Sequence, residues 1–507
     1  MNAVLLAWIA VGAYVLLTIA LTVRGMLRTK SLESFAVGNR DIPPMFVGLS
    51  LTAQLTSVAT FVVNPGLIYA FGLSGLLGLG LSAGLGIIIG LVFFSARFRS
   101  MGATVQALTI PQWIGARYKS KGLRVFFAIL SFLLITFAVL IVVAVARVMG
   151  LLLNVPPNYL IAGVVLFVFA YVMLGGVNTS AYTNSIQAMI MLVVALVLIL
   201  SNISMLWSDP PLMKELASIQ PSLATAANPY SLLFRNYFEV FVCNFLVGIA
   251  IVCQPHILSK ALYLKDDSQV RQYLTVAILG GLVFVGVMVV GLYARVLFNP
   301  VNQVGSIFSM MSQAPVLKFD GVVPLYILTN FSSTVRVLIG VGILCAGLST
   351  LEGILLALSA IISSDLFLTF SPHAENATAE EKEKRGKKAL LFARTVMILV
   401  ALMTIWLSQW QLAHPTAGSV AIFTQYGLYL LFTVSFFPLA SGMFFPNVQP
   451  RTIAASVAVG FVVYLGVFFL KFTHMYNNPA FLAACSIFAG WATIAIGSML
   501  EGKAETA

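Results

Sequence analysis

The residues best suited to chemistry lie in one apolar run, 337–367. Ser349 and Thr350 place two hydroxyls about one helical turn after the backbone carbonyl of Ala346. Oxygen atoms gathered in a dry place are suitable ligands for a small, hard cation such as sodium. Glu352 follows in the same run, and an ionisable side chain at membrane depth is by default a functional residue. Ser and Thr are also common packing residues between membrane helices, so this segment alone leaves both interpretations open.

The composition of the chain indicates the environment in which that run lies. Of its 507 residues, 60% are hydrophobic and 9% are charged, and the mean hydropathy is +1.00. No soluble domain hides that much apolar surface, so we expect an integral membrane protein. The net charge of +12 comes from Lys and Arg in short loops and does not indicate nucleic-acid binding. The histidines and cysteines lack metal-ligand spacing, and no nucleophile–base pair is visible, so we do not expect an enzyme.

The elements that must position these residues are membrane-spanning helices. Apolar runs of roughly 20 residues predict an all-α fold with about 13 spans. These runs fall near 4–26, 45–72, 74–98, 122–153, 158–178, 182–206, 236–258, 271–297, 335–367, 389–410, 418–445, 452–471 and 479–499.

Two of these runs contain a proline where a continuous helix would otherwise be expected. Run 45–72 is interrupted by Asn-Pro-Gly at 64–66, and run 236–258 ends in Gln-Pro-His at 254–256. Proline removes a backbone donor and frees a carbonyl, which at membrane depth needs a partner such as an ion or a substrate. Interrupted helices in corresponding positions of two halves are typical of transporter binding sites.

The two interruptions lie five spans apart, and an odd number of spans inverts each copy. This spacing predicts two five-helix repeats of opposite orientation, at 45–206 and 230–445. Both belong to a single transmembrane domain, 1–507. Residues 1–44 supply a first helix and a loop, and residues 446–507 supply two C-terminal helices and a short tail.

Basic residues are concentrated in alternate loops. With the N-terminus outside, the inside loops hold Lys and Arg near 28–40, 97–124, 260–271 and 382–388, whereas the long outside loops hold few. The positive-inside rule therefore places the N-terminus outside and the C-terminus inside a bacterial inner membrane. In this arrangement Lys260 begins an inside loop, and the charged run at 380–388 is a solvated loop.

Several short segments together carry a family resemblance. They are Phe-Ala-Val-Gly-Asn-Arg at 35–40, Thr-Ile-Pro-Gln at 109–112, Gly-Gly at 175–176 with Tyr-Thr-Asn-Ser-Ile-Gln at 182–187, Gln-Pro-His at 254–256, and Ala-Gly-Leu-Ser-Thr at 346–350 with Ser-Asp-Leu at 364–366. In this order and spacing they resemble the sodium/solute symporter family, which includes the proline, pantothenate, glucose and sialic acid cotransporters. The resemblance covers nearly the whole chain and implies a LeuT-type fold with inverted five-helix repeats.

The resemblance also implies where ligands bind. The family's main sodium site uses carbonyls of the first broken helix and a carbonyl and two hydroxyls of a later helix. The matching positions are Ala53, Thr56, Ala346, Ser349 and Thr350. The family's substrate lies beside this site, and the matching polar positions are Gln54, Ser57, Thr60, Gln254 and Gln425.

Two positions depart from the family pattern. Where the signature after Gly-Gly usually has an acid, this chain has Asn184. Where the sialic acid branch has two serines for a second sodium, this chain has Glu352 and Gly353, so that site is not expected in its usual form. We interpret Glu352, together with Asn184, as ion-linked or proton-linked, with Glu352 supplying a charge that relatives supply near 184. The alternative is that Glu352 pairs with a basic residue or faces the inner water path.

These features predict a secondary transporter that works by alternating access, with Na+ as the coupling ion. The expected solute is small and organic: an amino acid such as proline, a short carboxylate, or a vitamin such as pantothenate. A sugar acid is disfavoured, because region 132–137 is apolar with one Thr where sialic acid carriers hold an Arg. The alternatives are a proton-coupled or sodium-independent carrier and a transporter-like membrane sensor. The solute, sodium and membrane lipid are the expected partners, and the oligomeric state is left open, a monomer included.

Overall fold

The computed structural model describes residues 3–39, 41–298, 321–371, 379–414, 420–471 and 473–505. Every regular element within these ranges is helical. Arg40, which closes the first family-like segment, lies outside the described residues.

The α-helices are numbered in chain order. The first eleven are α1 Ala3–Arg28, α2 Leu32–Val37, α3 Pro44–Leu55, α4 Asn64–Phe71, α5 Leu73–Gly75, α6 Ala83–Thr104, α7 Ile110–Arg117, α8 Lys121–Leu130, α9 Leu134–Leu153, α10 Pro157–Leu200 and α11 Leu212–Ile219. The others are α12 Asn244–Ile251, α13 Pro255–Leu258, α14 Val270–Gly286, α15 Val290–Leu297, α16 Val322–Asn330, α17 Ser333–Ile361, α18 Leu368–Phe370, α19 Ala379–Ala413, α20 Val420–Phe444, α21 Pro450–Leu470 and α22 Pro479–Glu505.

Short π-helical and 3-10 stretches join several of these helices. The π-helical stretches are Ala59–Val63, Leu76–Ser82, Phe238–Cys243 and Ile362–Phe367. The 3-10 stretches are Ser131–Leu133, Ile203–Leu206, Pro221–Ala224, Ser259–Tyr263, Asp267–Gln269 and Val287–Val289. Where such a stretch lies within a span, the chain continues through it with turns that are tighter (3-10) or wider (π) than those of an α-helix.

By length and composition, ten helical segments among the described residues can each cross a membrane. Two bent pairs bring the number to twelve: Pro44–Leu55 with Ala59–Phe71, bent by 48°, and Phe238–Ile251 with Pro255–Tyr263, bent by 56°. The long helix α10 changes direction at Gly176, and counting its two parts separately gives the thirteen spans predicted from the sequence.

Gly176 makes the turn in α10 possible. Its φ of 58° and ψ of −158° belong to a region that residues with a side chain rarely adopt. A Cβ at this position would also lie 2.9 Å from the Phe35 ring, so α2 fits against α10 only because the side chain is missing. The sequence analysis placed the interruption a few residues later, between 178 and 182.

The first helix break is not where proline predicted it. α3 ends at Leu55 and helical structure resumes at Ala59, whereas Asn64 and Pro65 begin α4. Proline fits the first turn of a helix because the N–H groups there have no helical partner. The second break, before Pro255, lies where the sequence predicted it.

Two predictions about charged segments are corrected by the structure. The run at 380–388 is not a loop, because α19 begins at Ala379. Its exposed side chains form pairs one helical turn apart, Lys384 with Glu380 at 3.0 Å and Lys387 with Glu383 at 2.7 Å. Lys260 is not in a surface loop either, since its side chain is 1% exposed within the Ser259–Tyr263 stretch.

The helix α17 forms the centre of the bundle. It packs against α3, α9 and α10, and 22 of its 29 residues are buried. A helix that is apolar on all faces and surrounded by other helices has no lipid-facing stripe, so any polar group on it must find partners inside the protein.

One end of the bundle collects most of the ion pairs, and we name it the basic end. Arg99 pairs there with Asp267, and Arg124 pairs with Asp365 at 2.7 Å. The guanidinium of Arg117 donates to the carbonyl of Gly442 at 3.0 Å. These contacts tie α6 to the stretch after α13, α8 to the stretch after α17, and α7 to the end of α20.

Candidate functional site

Four of the five residues predicted to bind sodium lie together where α3 meets α17. The hydroxyl oxygen of Ser349 lies 3.0 Å from the Ala53 carbonyl oxygen and 3.1 Å from that of Ala346. The hydroxyl of Thr350 lies 3.3 Å from the same Ala346 oxygen. All four residues are fully buried. Two carbonyls and two hydroxyls therefore converge in a dry place, and hard oxygens of this kind suit a small cation.

The helix break explains why the Ala53 carbonyl is accessible. The Thr56 N–H donates to Thr52 at 3.2 Å, and the chain then leaves the helical path at Thr56, with φ −108° and ψ 92°. The last carbonyls of a helix have no intrahelical partner. Ala53 and Thr56 both lie in this last turn, so their oxygens are available to a side chain or an ion.

Glu352 lies one turn further along α17 and is 1% exposed. Its carboxylate accepts hydrogen bonds from the Thr183 hydroxyl at 3.0 and 3.1 Å and from the Tyr171 hydroxyl at 3.0 Å. Two residues of α10 therefore hold this carboxylate in place, and it is not solvated at the mouth of a vestibule.

Asn184, the second residue of the predicted ion-linked pair, belongs to the same cluster. Its amide nitrogen donates to the hydroxyls of Ser180 at 3.0 Å and of Ser50 at 3.2 Å. Ser50 is on α3, one turn before Ala53. The structure thus brings Asn184 and Glu352 into one polar network through Ser180 and Thr183, since the Thr183 hydroxyl lies 3.2 Å from the Ser180 carbonyl and 3.0 Å from Glu352.

Lys260 is the functional candidate that the sequence analysis missed. Its ammonium donates to the Ser50 hydroxyl at 2.6 Å and lies 5.4 Å from the centre of the Tyr263 ring. It also interacts electrostatically with Glu352. One indication that Lys260 is buried was present in the sequence. The apolar residues Ala-Leu-Tyr-Leu follow it and continue the span for several residues beyond the proline.

A cavity of about 570 Å³ lies next to the first helix break. Its walls come from the α3 break, α6, α12, α14 and α20, and they are largely apolar. The polar side chains that line it are Thr56, Ser57, Thr60, Asn64, Asn244, Thr424 and Gln425. Within the described residues no charged side chain lines the cavity.

The cavity contains three of the five residues predicted to bind substrate: Ser57, Thr60 and Gln425. The other two lie elsewhere in the described part of the chain. Gln54 packs over Gly353 of α17, where a Cβ would come within 2.5 Å of its amide group. The amide nitrogen of Gln254 donates across the second break to the carbonyl of Ile251, the last residue of α12, at 3.1 Å.

At the basic end, the buried carboxylate of Asp365 holds several elements together. Asp365 is fully buried and accepts from Arg124 at 2.7 Å, from Thr109 at 2.5 Å and from Ser364 at 2.9 Å. Thr109 is the N-cap of α7 and Arg124 is on α8, so one carboxylate joins two elements to the end of α17. A small void of about 10 Å³ lies between Thr109 and the second helix break.

An all-helical membrane protein with two broken spans, a converging oxygen site at one break and a cavity beside it is a secondary transporter. The sequence profile of the Sodium:solute symporter family matches residues 35–435, and the chain belongs to that family. It is therefore a multi-pass membrane protein that couples solute transport to sodium, and it is not an enzyme.

Similar proteins of known activity cover most of the chain. A sodium/pantothenate symporter of Haemophilus influenzae is 25% identical over 75% of this chain and 76% of its own length. A sodium/pantothenate symporter of Escherichia coli is 23% identical over 92% of this chain and 91% of its own length. A solved Na+-coupled sialic acid symporter, in a substrate-bound outward-open state, has a TM-score of 0.73 at 16% identity and covers 97% of this chain and 98% of that chain. This likeness confirms the predicted LeuT-type fold.

Proposed function

We propose that the protein imports a small organic solute together with sodium, and that sodium binds where α3 breaks against α17. The proposed ligands are Ala53, Thr56, Ala346, Ser349 and Thr350. The observation that carries the proposal is the contact of the Ser349 hydroxyl with the Ala53 carbonyl, 3.0 Å across the two helices. It joins a freed carbonyl to a hydroxyl beside a cavity that is large enough for a solute.

We propose that the solute occupies this cavity and that its class is a small molecule with an apolar part and several hydrogen-bonding groups. The apolar walls favour the first property, and the hydroxyl and amide side chains favour the second. Pantothenate, which has a carboxylate, an amide and hydroxyl groups, is the first solute to test, because the relatives named above carry it. Its carboxylate would be held by amide and hydroxyl donors instead of a cationic side chain.

The test is uptake into proteoliposomes that contain the purified protein. Labelled pantothenate, proline and a short carboxylate are compared with and without an inward sodium gradient, at matched membrane potential. We expect sodium-stimulated uptake of pantothenate. Uptake of every solute at the same rate in sodium and in choline would contradict the proposed coupling.

We predict that Thr60→Ala and Gln425→Ala each raise the apparent solute KM roughly fivefold to thirtyfold. Each change removes one hydrogen bond to the solute and leaves its partner unsatisfied in an apolar cavity, at about 1–2 kcal/mol. Solute uptake at saturating sodium measures this. Thr395→Ala is the matched control, because Thr395 is exposed and its hydroxyl bonds to Leu391 of its own helix.

Gln254→Ala decides between two pockets in the same assay. A KM increase as large as that of Gln425→Ala would indicate that the solute reaches the second break, as the sequence-based assignment of Gln54 and Gln254 requires. A normal KM would restrict the solute to the cavity. Normal KM values for Thr60→Ala and Gln425→Ala would contradict the proposed position of the solute.

We propose that the basic end faces the cytoplasm of a bacterial inner membrane, with the N-terminus outside and the C-terminus inside. The concentration of Arg and Lys at this end supports the orientation. We also propose that the repeats span 45–206 and 230–445, because each begins with a span that is broken near its middle.

We predict that an impermeant maleimide labels Ser218→Cys in intact cells but labels Lys384→Cys only after permeabilisation. Both positions are exposed, and they lie at opposite ends of the bundle. Of the native cysteines, three are buried and Cys485 is half-buried, so background labelling is low. Labelling of Lys384→Cys in intact cells would reverse the orientation.

A further inference from the structure

The charges of Lys260 and Glu352 are joined by oxygen-bearing side chains and not by direct contact. The ammonium donates to Ser50, and Asn184 donates to both Ser50 and Ser180. The Thr183 hydroxyl lies within hydrogen-bonding distance of both the Ser180 carbonyl and the Glu352 carboxylate. The described part of the chain has three buried acidic residues, and Arg235 and Arg124 each pair directly with one of the other two. Glu352 is the third of these acids, and neither arginine pairs with it. Its counter-charge is the buried ammonium of Lys260, at the far end of the hydrogen-bonded chain.

The atoms between these charges make a set of cation ligands. They are the carboxylate of Glu352, the hydroxyls of Ser50, Ser180 and Thr183, and the carbonyl oxygen of Asn184. The carbonyl oxygen of Asn184 is buried and has no hydrogen-bond partner among the described residues. A buried acceptor without a partner is rare, and this oxygen is available to a cation between the helices. Oxygen ligands around one carboxylate suit a monovalent cation such as sodium.

This cluster lies on the same two helices as the proposed sodium site. Ser50 precedes Ala53 by three residues on α3, and Glu352 follows Ser349 by three residues on α17. The helices run in opposite directions, so both steps lead towards the basic end. At a rise of about 1.5 Å per residue, the cluster is roughly one turn, about 5 Å, from the first site. Two cations at this separation repel each other strongly in a dry interior. The carboxylate of Glu352 offsets this repulsion.

We propose that Ser50, Ser180, Thr183, Asn184 and Glu352 form a second cation site and that the ammonium of Lys260, held at its edge by Ser50, permanently supplies the positive charge that a free ion would bring. The tether keeps the charge at the site through the whole transport cycle. One free sodium ion then binds, at the first site, and the second site contributes a fixed positive charge without consuming an ion. A neutral residue at position 260 opens the second site to a free sodium ion.

The experiment counts sodium ions bound to the purified protein, so it needs no knowledge of the solute. Equilibrium dialysis with ²²Na+ is performed on the wild type, Lys260→Met, Lys260→Gln and the double variant Lys260→Met/Glu352→Gln. Lys265→Met is the matched control, because Lys265 is exposed only five residues away. The proposal expects one ion for the wild type and for Lys265→Met, two ions for both Lys260 single variants, and one ion for the double variant.

Each result is informative about one site. A single bound ion in Lys260→Met and Lys260→Gln would overturn the tethered cation and leave the first site standing. Failure to recover these two variants in sodium-containing buffer would also overturn it, because a sodium ion should replace the ammonium. This inference rests on the proposed function only through the first site, where the single sodium ion of the wild type is proposed to bind. No bound ion in the wild type, or one ion bound with unchanged affinity in Ser349→Ala/Thr350→Ala, would instead contradict the proposed sodium site.

Discussion

Replacing Ser349 and Thr350 together by Ala is expected to raise the sodium concentration for half-maximal uptake by at least tenfold. Each hydroxyl is a buried ligand of a charged ion in the proposed site. Losing a hydrogen bond or ligand contact to a charged group costs about 1.5–3 kcal/mol, which corresponds to roughly tenfold to a hundredfold in affinity. The helix itself should remain intact, because Ala is a strong helix former.

The measurement is sodium-dependent solute uptake in proteoliposomes, together with the amount of protein in the membrane. Ser359→Ala is the matched control, since Ser359 is a buried hydroxyl on the same helix that lies against Met173 and not against α3. We expect the control to keep the wild-type sodium dependence. An unchanged sodium dependence in the Ser349/Thr350 double variant would show that these hydroxyls only pack the two helices together.

Arg124→Ala is expected to destabilise the protein by about 3 kcal/mol, the lower end of the cost of removing one partner of a buried ion pair. The carboxylate of Asp365 is fully buried and would lose its cation, whereas the Arg124 side chain is already 24% exposed and gives up less on release. The same change frees α8 from the end of α17, so we also expect greater access to the transport path from the basic end.

Thermal unfolding in detergent measures the stability, and cysteine labelling at the basic end measures access. The double variant Arg124→Ala/Asp365→Asn should recover most of the lost stability, because no buried charge is then left unpaired. Lys121→Ala is the control, since Lys121 is a neighbouring cation that lies over the Phe370 ring and does not contact Asp365. Equal losses in the single and double variants would indicate that packing of the Arg124 stem, and not its charge, stabilises this end.

The membrane fold could be predicted because the length and polarity of each apolar run determine whether it can cross a bilayer. The ion site could be located because Ala346, Ser349 and Thr350 are close in sequence and a helix keeps them close in space. The position of the first helix break could not be predicted from proline. The actual break at Thr56 contains neither Gly nor Pro, and it persists because the surrounding helices and the Ser349 hydroxyl compensate for the missing helical bonds.

The partners of individual polar residues were the least predictable feature. Gln54 and Gln254 have the right residue type and depth for a solute pocket, but the rotation of each helix turns Gln54 towards Gly353 and directs Gln254 to the backbone of Ile251. Lys260 was assigned to a loop because basic residues usually mark a membrane boundary. Its burial depends on Ser50 and Glu352, which are distant in sequence, and only the assembled bundle brings these residues together.

Thr56 belongs both to the α3 turn that offers its carbonyls to sodium and to the wall of the solute cavity. Ion and solute therefore act on the same few backbone bonds, and ordering of that turn by either one lowers the entropic cost of binding the other. Equilibrium linkage makes this effect reciprocal: the factor by which sodium tightens solute binding equals the factor by which solute tightens sodium binding. A variant that uncouples the two should consequently lose both enhancements to the same extent, and the carrier would then dissipate the sodium gradient without accumulating solute.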